Sequence, residues 1–398
     1  MVSRRHLLRT GAVWGGVAFL GDAARLVERI AAQSLCPDAG PLGELISVVT
    51  FIGERAGSTP LGRLVGGEGL DARLFTDLSQ IQPDRLITPS AQVFVRTAGP
   101  QDVSRRVLDT WSIAVGNVDR RSGVVSAREL AKASKPMGAH LIECAGNSDP
   151  QNFGLMSVAE WDGVPVGLPF EKAGTRGTAA GVLVTGWDHH SQASVRSVPG
   201  ASWIFPAGVL DKLGAFIATR MNGEPLPVDH GAPLRLVVPG WYGCSWIKWV
   251  NDIRLVKDDE PPTSQMQEFA TRTHQDGMPA RALDYTPPAI DLAATPIRIE
   301  KRRIDGHIEY RVVGIVWGGQ NAAERTRLMI RFNPSESFKL FNVCPAPTTH
   351  RTWSLWEYRW RPAQPGMYSI VLQAASPDIR ARRLDLSFYI RRVIIDEV

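Results

Sequence analysis

The sequence contains 398 residues, of which 44% are hydrophobic and 21% are charged. This composition is typical of a globular chain long enough for two domains, and it excludes a disordered or fibrous protein. The formal net charge is +5, and the basic residues are scattered rather than clustered, so nucleic-acid binding is not expected. The basic character is compatible with an anionic substrate but does not require one.

The N-terminal residues have the pattern of a targeting signal. Ser3-Arg4-Arg5-His6-Leu7-Leu8 fits the twin-arginine export pattern, and the apolar run over residues 11–21 is about half the length that crosses a bilayer as a helix. We therefore predict a signal segment over residues 1–35 and a periplasmic location. Proteins exported on this route fold first, commonly around a cofactor inserted in the cytoplasm.

The four cysteines, at positions 36, 144, 244 and 344, contain no Cys-x-x-Cys spacing. An iron–sulfur cluster, a structural zinc site and a covalently attached haem therefore all lack a signature. In an oxidising compartment, a thiol is expected to be buried, paired or bound to a ligand. The sequence leaves the pairing of Cys36, Cys244 and Cys344 open.

Residues 40–257 contain the patterns of a mixed α and β domain. Ser126 to Glu129 form a capping-box pattern, which predicts the start of a short helix. Apolar residues at helical spacing predict a second helix over 209–217, which should end before Asn222-Gly223. Strands are predicted over residues 139–142, 234–238 and 247–256. The first of these strands would deliver Cys144 into the loop at its end.

The composition of the chain changes after Lys257. Residues 258–296 are rich in proline and turn residues, and they predict an extended linker. The segment 297–398 is a succession of short β-like runs separated by turns, which predicts an immunoglobulin-like β-sandwich. The seven runs lie near residues 297–303, 307–316, 326–333, 338–343, 354–361, 367–374 and 384–395. The fold class predicted for the whole chain is α+β.

The segment Glu143-Cys144-Ala145-Gly146-Asn147 is suited to binding a metal. Two small residues after the cysteine let a bulky ligand approach the backbone closely, and a thiolate is a ligand for soft or high-valent metals. The same pattern also fits a buried apolar thiol, which is the usual fate of a single cysteine. The segment alone leaves both interpretations open.

Several segments together resemble the sulfite oxidase family of molybdopterin-dependent oxidoreductases. Cys-Ala-Gly-Asn at 144–147 resembles the molybdenum-binding loop of that family. The longest match runs from Met221 to Arg235 and continues through Val238-Pro239-Gly240 to Trp249. Further matches follow the same order along the chain: Ile87-Thr88-Pro89, Phe94-Val95-Arg96, Ala159 to Pro165 and Val313 to Gly319. The resemblance covers roughly residues 40 to 375 and implies a molybdopterin domain followed by the sandwich.

The resemblance implies a molybdenum–molybdopterin cofactor, with Cys144 as the protein ligand to the metal. Arg96 would face the metal pocket and act with Cys144 in catalysis. Charged and imidazole donors downstream would hold the pterin and its phosphate through charge-assisted hydrogen bonds, and an aspartate would contact the pterin. The cofactor-binding residues implied are Asp188, His230, Arg235 and Lys248.

The resemblance also implies a reaction and partners. The reaction is oxygen-atom transfer on a small molecule, in which the cofactor supplies the chemistry and the protein supplies positioning and electrostatics. No haem domain is recognised before the fold, so we expect a separate electron acceptor, such as a cytochrome c or a membrane redox subunit. The sandwich domain of relatives builds a dimer, so a homodimer is expected.

The predicted substrate pocket departs from that of sulfite oxidases. Ser148 and Asp149 stand where that family carries arginines, and an acidic group there would repel a dianion. No residue clearly matches the family's pocket tyrosine, for which Tyr242 is a weak substitute. Residues 380–398 show no clear counterpart of another pocket arginine. The sequence therefore indicates the cofactor and leaves the substrate open.

Three functions are compatible with the sequence. The first is a periplasmic oxidoreductase acting on a sulfur compound or another oxygen acceptor. The second is a reductase that runs the same transfer backwards, for instance on sulfoxides. The third is a secreted scaffold without activity, in which a degenerate pocket survives.

Overall fold

A computed structural model describes residues 35–36, 40–53, 72–97, 109–118, 121–150, 153–175, 177–188 and 200–398. The predicted export signal lies outside the described residues, apart from Leu35. No helix among the residues described is long and apolar enough to cross a membrane.

The described part of the chain is mainly β-structure, with fewer helical residues than the predicted α+β class suggests. The α-helices with described bounds are short: α1 (Ala127–Lys132), α2 (Gly167–Lys172), α3 (Val209–Leu213) and α4 (Ser264–Glu268). The capping box predicted for α1 is present, since the Ser126 hydroxyl accepts from the Glu129 N–H and the Glu129 carboxylate accepts from the Ser126 N–H.

Two five-stranded sheets form the N-terminal unit, and a two-stranded ribbon accompanies them. The strands are β2 (Ala72–Leu74), β3 (Val95–Thr97), β4 (Ser112–Gly116), β5 (Arg121–Ser126), β6 (Lys135–Glu143), β7 (Met156–Pro165), β8 (Gly181–Gly186), β9 (Ser202–Pro206), β10 (Phe216–Met221), β11 (Glu224–Pro225), β12 (Arg235–Val237) and β13 (Val250–Val256). One sheet has the order β11-β10-β7-β6, with β12 also paired to β10, and the other has the order β5-β4-β13-β8-β9. The ribbon consists of β2 and β3.

The C-terminal unit contains all seven strands predicted for it, arranged in two four-stranded sheets. Its strands are β14 (Ala293–Ile304), β15 (His307–Trp317), β16 (Arg327–Arg331), β17 (Lys339–Asn342), β18 (Ser354–Trp360), β19 (Gly366–Ala374) and β20 (Arg391–Ile395). The orders are β1-β14-β15-β18, where β1 is Glu44–Val49, and β17-β16-β19-β20. The Phe332 and Trp360 rings stack with centroids 4.1 Å apart, and this contact joins the two sheets through their shared apolar core.

The helix predicted over 209–217 is wrong in its second half. Helix α3 ends at Leu213 because Gly214 adopts a left-handed conformation, with φ of +67°. Phe216 then begins strand β10, which pairs with β7 and β12. The strand predicted over 247–256 also begins later, at Val250.

Two elements lie across the predicted boundaries between the units. Strand β1 pairs with β14, so residues 44–49 belong to a sheet of the C-terminal unit. The segment expected to be a linker contains α4, and β14 begins inside it at Ala293. Pro296 cannot donate a ladder hydrogen bond, but the register shifts between Pro296 and Arg298 and a β-bulge accommodates it.

A disulfide joins Cys36 to Cys344, which settles a pairing that the sequence left open. In the first sheet of the C-terminal unit, Arg302 donates to the carbonyls of Leu42 and Gly43 at 3.4 and 3.2 Å. Cys144 and Cys244 are free thiols, and both are buried.

Candidate active site

Cys144 lies directly after β6, at the position that the sequence predicted for it. Its N–H donates to the Leu155 carbonyl at 2.9 Å, and its own carbonyl accepts from the Asn147 N–H at 3.0 Å. The Asn147 side-chain oxygen accepts in turn from the Leu155 N–H at 3.1 Å. These bonds fix the loop between β6 and β7, so the thiol is held in one place.

The small residues after Cys144 leave its sulfur approachable. The Gly146 N–H donates to the Cys144 Sγ at 3.4 Å. A Cβ placed on Gly146 would lie 3.7 Å from that sulfur and 3.3 Å from Arg272 Nη1. Glycine at this position therefore leaves open a space that both the thiol and a guanidinium face.

All six residues that the sequence singled out line one cavity of about 390 Å³. These residues are Arg96, Cys144, Asp188, His230, Arg235 and Lys248. They come from the ribbon, the β6–β7 loop, the end of β8 and the segment between β11 and β13, which are far apart in sequence. The fold thus brings the predicted residues together, and their individual roles remain predictions.

Three of these side chains form a buried basic cluster. Burial lowers the pKa of Arg235 to about 9. Burial, and then the charge of Arg235, lower the pKa of Lys248 to about 7, against the opposing effect of Asp188. Burial and the two neighbouring cations lower the pKa of His230 to about 3. A bound anion would relieve this repulsion, so the cluster is suited to a phosphate group.

Arg235 carries a donor that no described residue accepts. Its Nη1 donates to the His230 carbonyl at 3.1 Å, and its guanidinium lies 5.6 and 5.7 Å from the Trp161 and Trp246 rings. The buried Nε of Arg235 has no hydrogen-bond partner among the residues that the structure describes. Because buried donors are rarely left unpaired, this atom indicates that a ligand with acceptor oxygens belongs beside it.

Lys248 is positioned by the turn that carries His230. Its Nζ donates to the carbonyls of Arg96 and Asp229, at 3.1 and 3.0 Å, and lies 4.4 Å from the centre of the Trp249 ring. Gly231 has a φ of +104°, and a Cβ there would lie 3.0 Å from the Lys248 Cα. The glycine therefore allows the turn to pack directly on Lys248.

The sequence missed the buried carboxylate of Glu143, which precedes Cys144. Its oxygens accept from Arg382 Nη1 and Nη2, at 2.8 and 2.6 Å, and from the Trp317 indole N–H at 2.8 Å. Arg382 also donates to the Tyr389 hydroxyl at 2.7 Å. The sequence showed no clear counterpart of a pocket arginine in residues 380–398, yet Arg382 of that segment reaches the residue beside Cys144.

Helix α4 and the turn after it supply another wall that the sequence did not predict. Gln265, Glu268 and Phe269 line the cavity together with Cys244. The only sequence signal for this wall is a helix N-cap, because the Thr263 hydroxyl accepts from the Met266 N–H at 3.1 Å. Nothing in that signal indicates which residues face the cavity.

The structure changes the interpretation of two predicted differences from the sulfite oxidase pocket. Ser148 and Asp149 are exposed and are not among the residues lining the cavity. Solvent therefore screens the charge of Asp149, and the repulsion expected of it is weaker than the sequence suggested. Tyr242 is buried, its ring lies 5.1 Å from the Arg382 guanidinium carbon, and burial raises its pKa.

Cys144 and Cys244 are both buried thiols of this cavity wall, and Cys144 is the one followed by two small residues. Among the described residues, no group of three or more His, Cys, Asp or Glu side chains is arranged to hold a metal ion. Burial raises the pKa of the Cys144 thiol, and the Gly146 N–H and the charge of Arg96 oppose that rise. A metal here would need most of its ligands from a cofactor, which is consistent with a single protein thiolate.

Comparisons with known proteins agree with this geometry. Residues 100–264 match the family model described as the oxidoreductase molybdopterin binding domain. The sulfite oxidase of Gallus gallus is 24% identical over 307 residues, covering 70% of this chain and 64% of that protein. The mitochondrial sulfite oxidase of Macaca fascicularis is 25% identical over 304 residues, covering 70% of this chain and 54% of that protein. The chain thus spans about half to two thirds of these relatives.

Two further comparisons concern a reductase and a solved structure. An inducible NADH nitrate reductase of Glycine max is 26% identical over 203 residues, which cover 46% of this chain and 22% of that protein. A chain of the crystal structure of the sulfane dehydrogenase SoxCD from Paracoccus pantotrophus superposes with a TM-score of 0.58 at 18% identity, covering 92% of this chain and 96% of that one. At this identity the likeness concerns the fold.

The fold, the thiol and the basic cluster define a molybdopterin-binding oxidoreductase. Within that class, the chain is similar to the sulfite oxidases, and its cofactor is molybdenum bound to molybdopterin. The unpaired Nε of Arg235 and the buried cluster around it fit the phosphate of that cofactor.

Proposed function

We propose that the chain catalyses oxygen-atom transfer on a small sulfur-containing substrate and passes the electrons to a separate carrier. The observation that carries this proposal is the cavity that holds the Cys144 thiol and the buried basic cluster of His230, Arg235 and Lys248. The names of the relatives support a sulfur substrate, since sulfite oxidases and a sulfane dehydrogenase act on sulfur compounds.

When bound, the molybdenum cofactor supplies the transfer of an oxygen atom with a two-electron change at the metal. In the proposal, Cys144 binds the metal as a thiolate, and the loop hydrogen bonds hold its sulfur in place. Arg235 and Lys248 bind the phosphate, His230 donates a further hydrogen bond, and Asp188 contacts the pterin. Arg96 presents a cation to the substrate.

The Cys36–Cys344 disulfide supports export to the periplasm, because disulfides persist in oxidising compartments and are rare in the cytoplasm. In that setting the electron acceptor would be a cytochrome c or a membrane redox subunit.

We also propose that the C-terminal unit is an immunoglobulin-type sandwich and that it forms a homodimer. Light scattering tests the last point, and a monomer at working concentration would contradict it.

The reaction direction is tested by assaying the molybdenum-loaded enzyme both ways. Sulfite, thiosulfate and sulfide-derived compounds are offered with ferricyanide as acceptor, and sulfoxides and nitrate are offered with reduced methyl viologen as donor. We expect turnover with an oxidisable sulfur compound. Turnover with sulfoxide or nitrate alone would favour a reductase, the direction named by the nitrate reductases among the relatives. Native protein without pterin would favour a scaffold.

A further inference from the structure

We propose that Arg272 selects an anionic substrate, with its guanidinium close to the sulfur of Cys144. This inference rests on the proposed oxygen-atom transfer and names the substrate class. Arg272 belongs to the turn after α4 and would supply a cation that Ser148 and Asp149 do not.

The position of the guanidinium is the first support. Arg272 Nη1 and Cys144 Sγ both lie within 4 Å of the point where a Cβ on Gly146 would sit. An anion approaching the metal ligand past the small residues of this loop would meet the guanidinium.

The second support is that the guanidinium is positioned and remains accessible. Its carbon lies 5.7 Å from the centre of the Phe269 ring, and Phe269 is a buried residue of the cavity wall. The turn that carries it is fixed, because the Arg272 N–H donates to the Phe269 carbonyl at 3.0 Å and the buried Thr273 hydroxyl donates to the same carbonyl at 2.8 Å. Arg272 itself is exposed.

The third support is that Arg382, which also lies near the Cys144 loop, is already paired. The Arg382 guanidinium forms an ion pair with the Glu143 carboxylate and donates a hydrogen bond to the Tyr389 hydroxyl. Arg272, in contrast, forms no ion pair with any residue that the structure describes. A guanidinium offers a planar fork of donors that matches the oxygens of sulfur oxyanions, and it stays charged at every working pH.

The test uses the molybdenum-loaded enzyme and the variants Arg272→Gln and Arg272→Lys. The matched control is Arg281→Gln, since Arg281 is an exposed arginine in the same region that pairs with Asp284. We expect the Gln variant to raise KM for sulfite or thiosulfate about tenfold or more, with little change in kcat. The Lys variant should recover part of the loss, and KM for a neutral sulfur compound should stay unchanged.

Sulfate binding by isothermal titration calorimetry provides a second readout that needs no turnover. Sulfate should bind more weakly to Arg272→Gln than to the parent and the control, and rising salt should weaken binding to the parent more than to that variant. Unchanged sulfate affinity in Arg272→Gln overturns the inference even if no substrate is found. A loss confined to kcat also overturns it, whereas failure of the oxygen-transfer proposal leaves the binding result intact.

Discussion

At the scale of single residues, Arg235 gives the most specific test of cofactor binding. Replacing it with Gln removes a buried cation and the unpaired Nε donor, so the phosphate of the cofactor loses charge-assisted hydrogen bonds. We expect Arg235→Gln to retain much less molybdopterin, measured as fluorescent oxidised pterin per chain. Arg220→Gln is the control, because Arg220 is an exposed arginine paired with Asp162. Equal pterin in both variants would contradict the assignment.

The Glu143–Arg382 pair predicts a large loss of stability from a single substitution. Glu143→Gln leaves the largely buried Arg382 guanidinium with neutral hydrogen-bond partners only. Removing one member of a buried ion pair costs about 3–5 kcal/mol, whereas removing both costs less than the sum of the two changes. We therefore expect a lower melting temperature in Glu143→Gln and a partial recovery in the double variant Glu143→Gln, Arg382→Gln. Additive losses would show that the two side chains do not interact.

At the scale of secondary structure elements, His140 in β6 predicts a dependence of stability on pH. Burial lowers its pKa to about 4 from an ordinary 6.5, although the Met137 carbonyl opposes the shift. The unfolded chain therefore binds the proton more readily than the folded chain does. Stability from this residue is complete above pH 6.5 and is lost as the pH falls toward 4, by up to about 1.4 kcal/mol per pH unit.

Melting temperatures measured from pH 7 to pH 4 check this prediction. His140→Gln should flatten the acid-side decline, since its side chain does not titrate. His307→Gln is the control, because His307 is exposed at the start of β15. Identical declines in the parent and in His140→Gln would mean that other groups dominate acid destabilisation.

The elements also show where local sequence is sufficient and where it is not. The loop of Cys144 follows from a local motif after a strand, and the predicted strand is present as part of β6. The helix over 209–217 failed because apolar spacing is compatible with either structure, and Gly214 and pairing with β7 decide the outcome. Strand β10 therefore depends on a partner that is distant in sequence.

The residues of the site also divide into those that the sequence predicts and those that it does not. Cys144, His230 and Lys248 are predicted because their segments resemble those of one family in the same order, and the structure places them on one cavity. Arg382 could not be predicted, because its partner Glu143 lies 239 residues away and Arg382 belongs to no motif. Contacts of that kind depend on how the two units pack, which periodicity does not report.

At the scale of the whole molecule, the Cys36–Cys344 disulfide predicts a stability that depends on redox state. The bridge spans 308 residues, and cross-links over long loops stabilise a fold by restricting the unfolded chain, by a few kcal/mol and at most about 5. We expect the double variant Cys36→Ser, Cys344→Ser to melt at a lower temperature. A reductant should lower the melting temperature of the parent and leave that of the variant unchanged. Equal melting temperatures would contradict this role.

The central claim concerns the whole molecule as a metalloprotein, since Cys144 must meet a cofactor that residues of several distant segments hold. Molybdenum K-edge X-ray absorption on protein from a cofactor-competent host counts the sulfur atoms bound to the metal. The claim predicts that Cys144→Ser has one sulfur ligand fewer than the parent or has lost the metal, while Cys244→Ser, the other buried free thiol, matches the parent. A Cys144→Ser spectrum identical to that of the parent, or a parent protein without molybdenum, would contradict it.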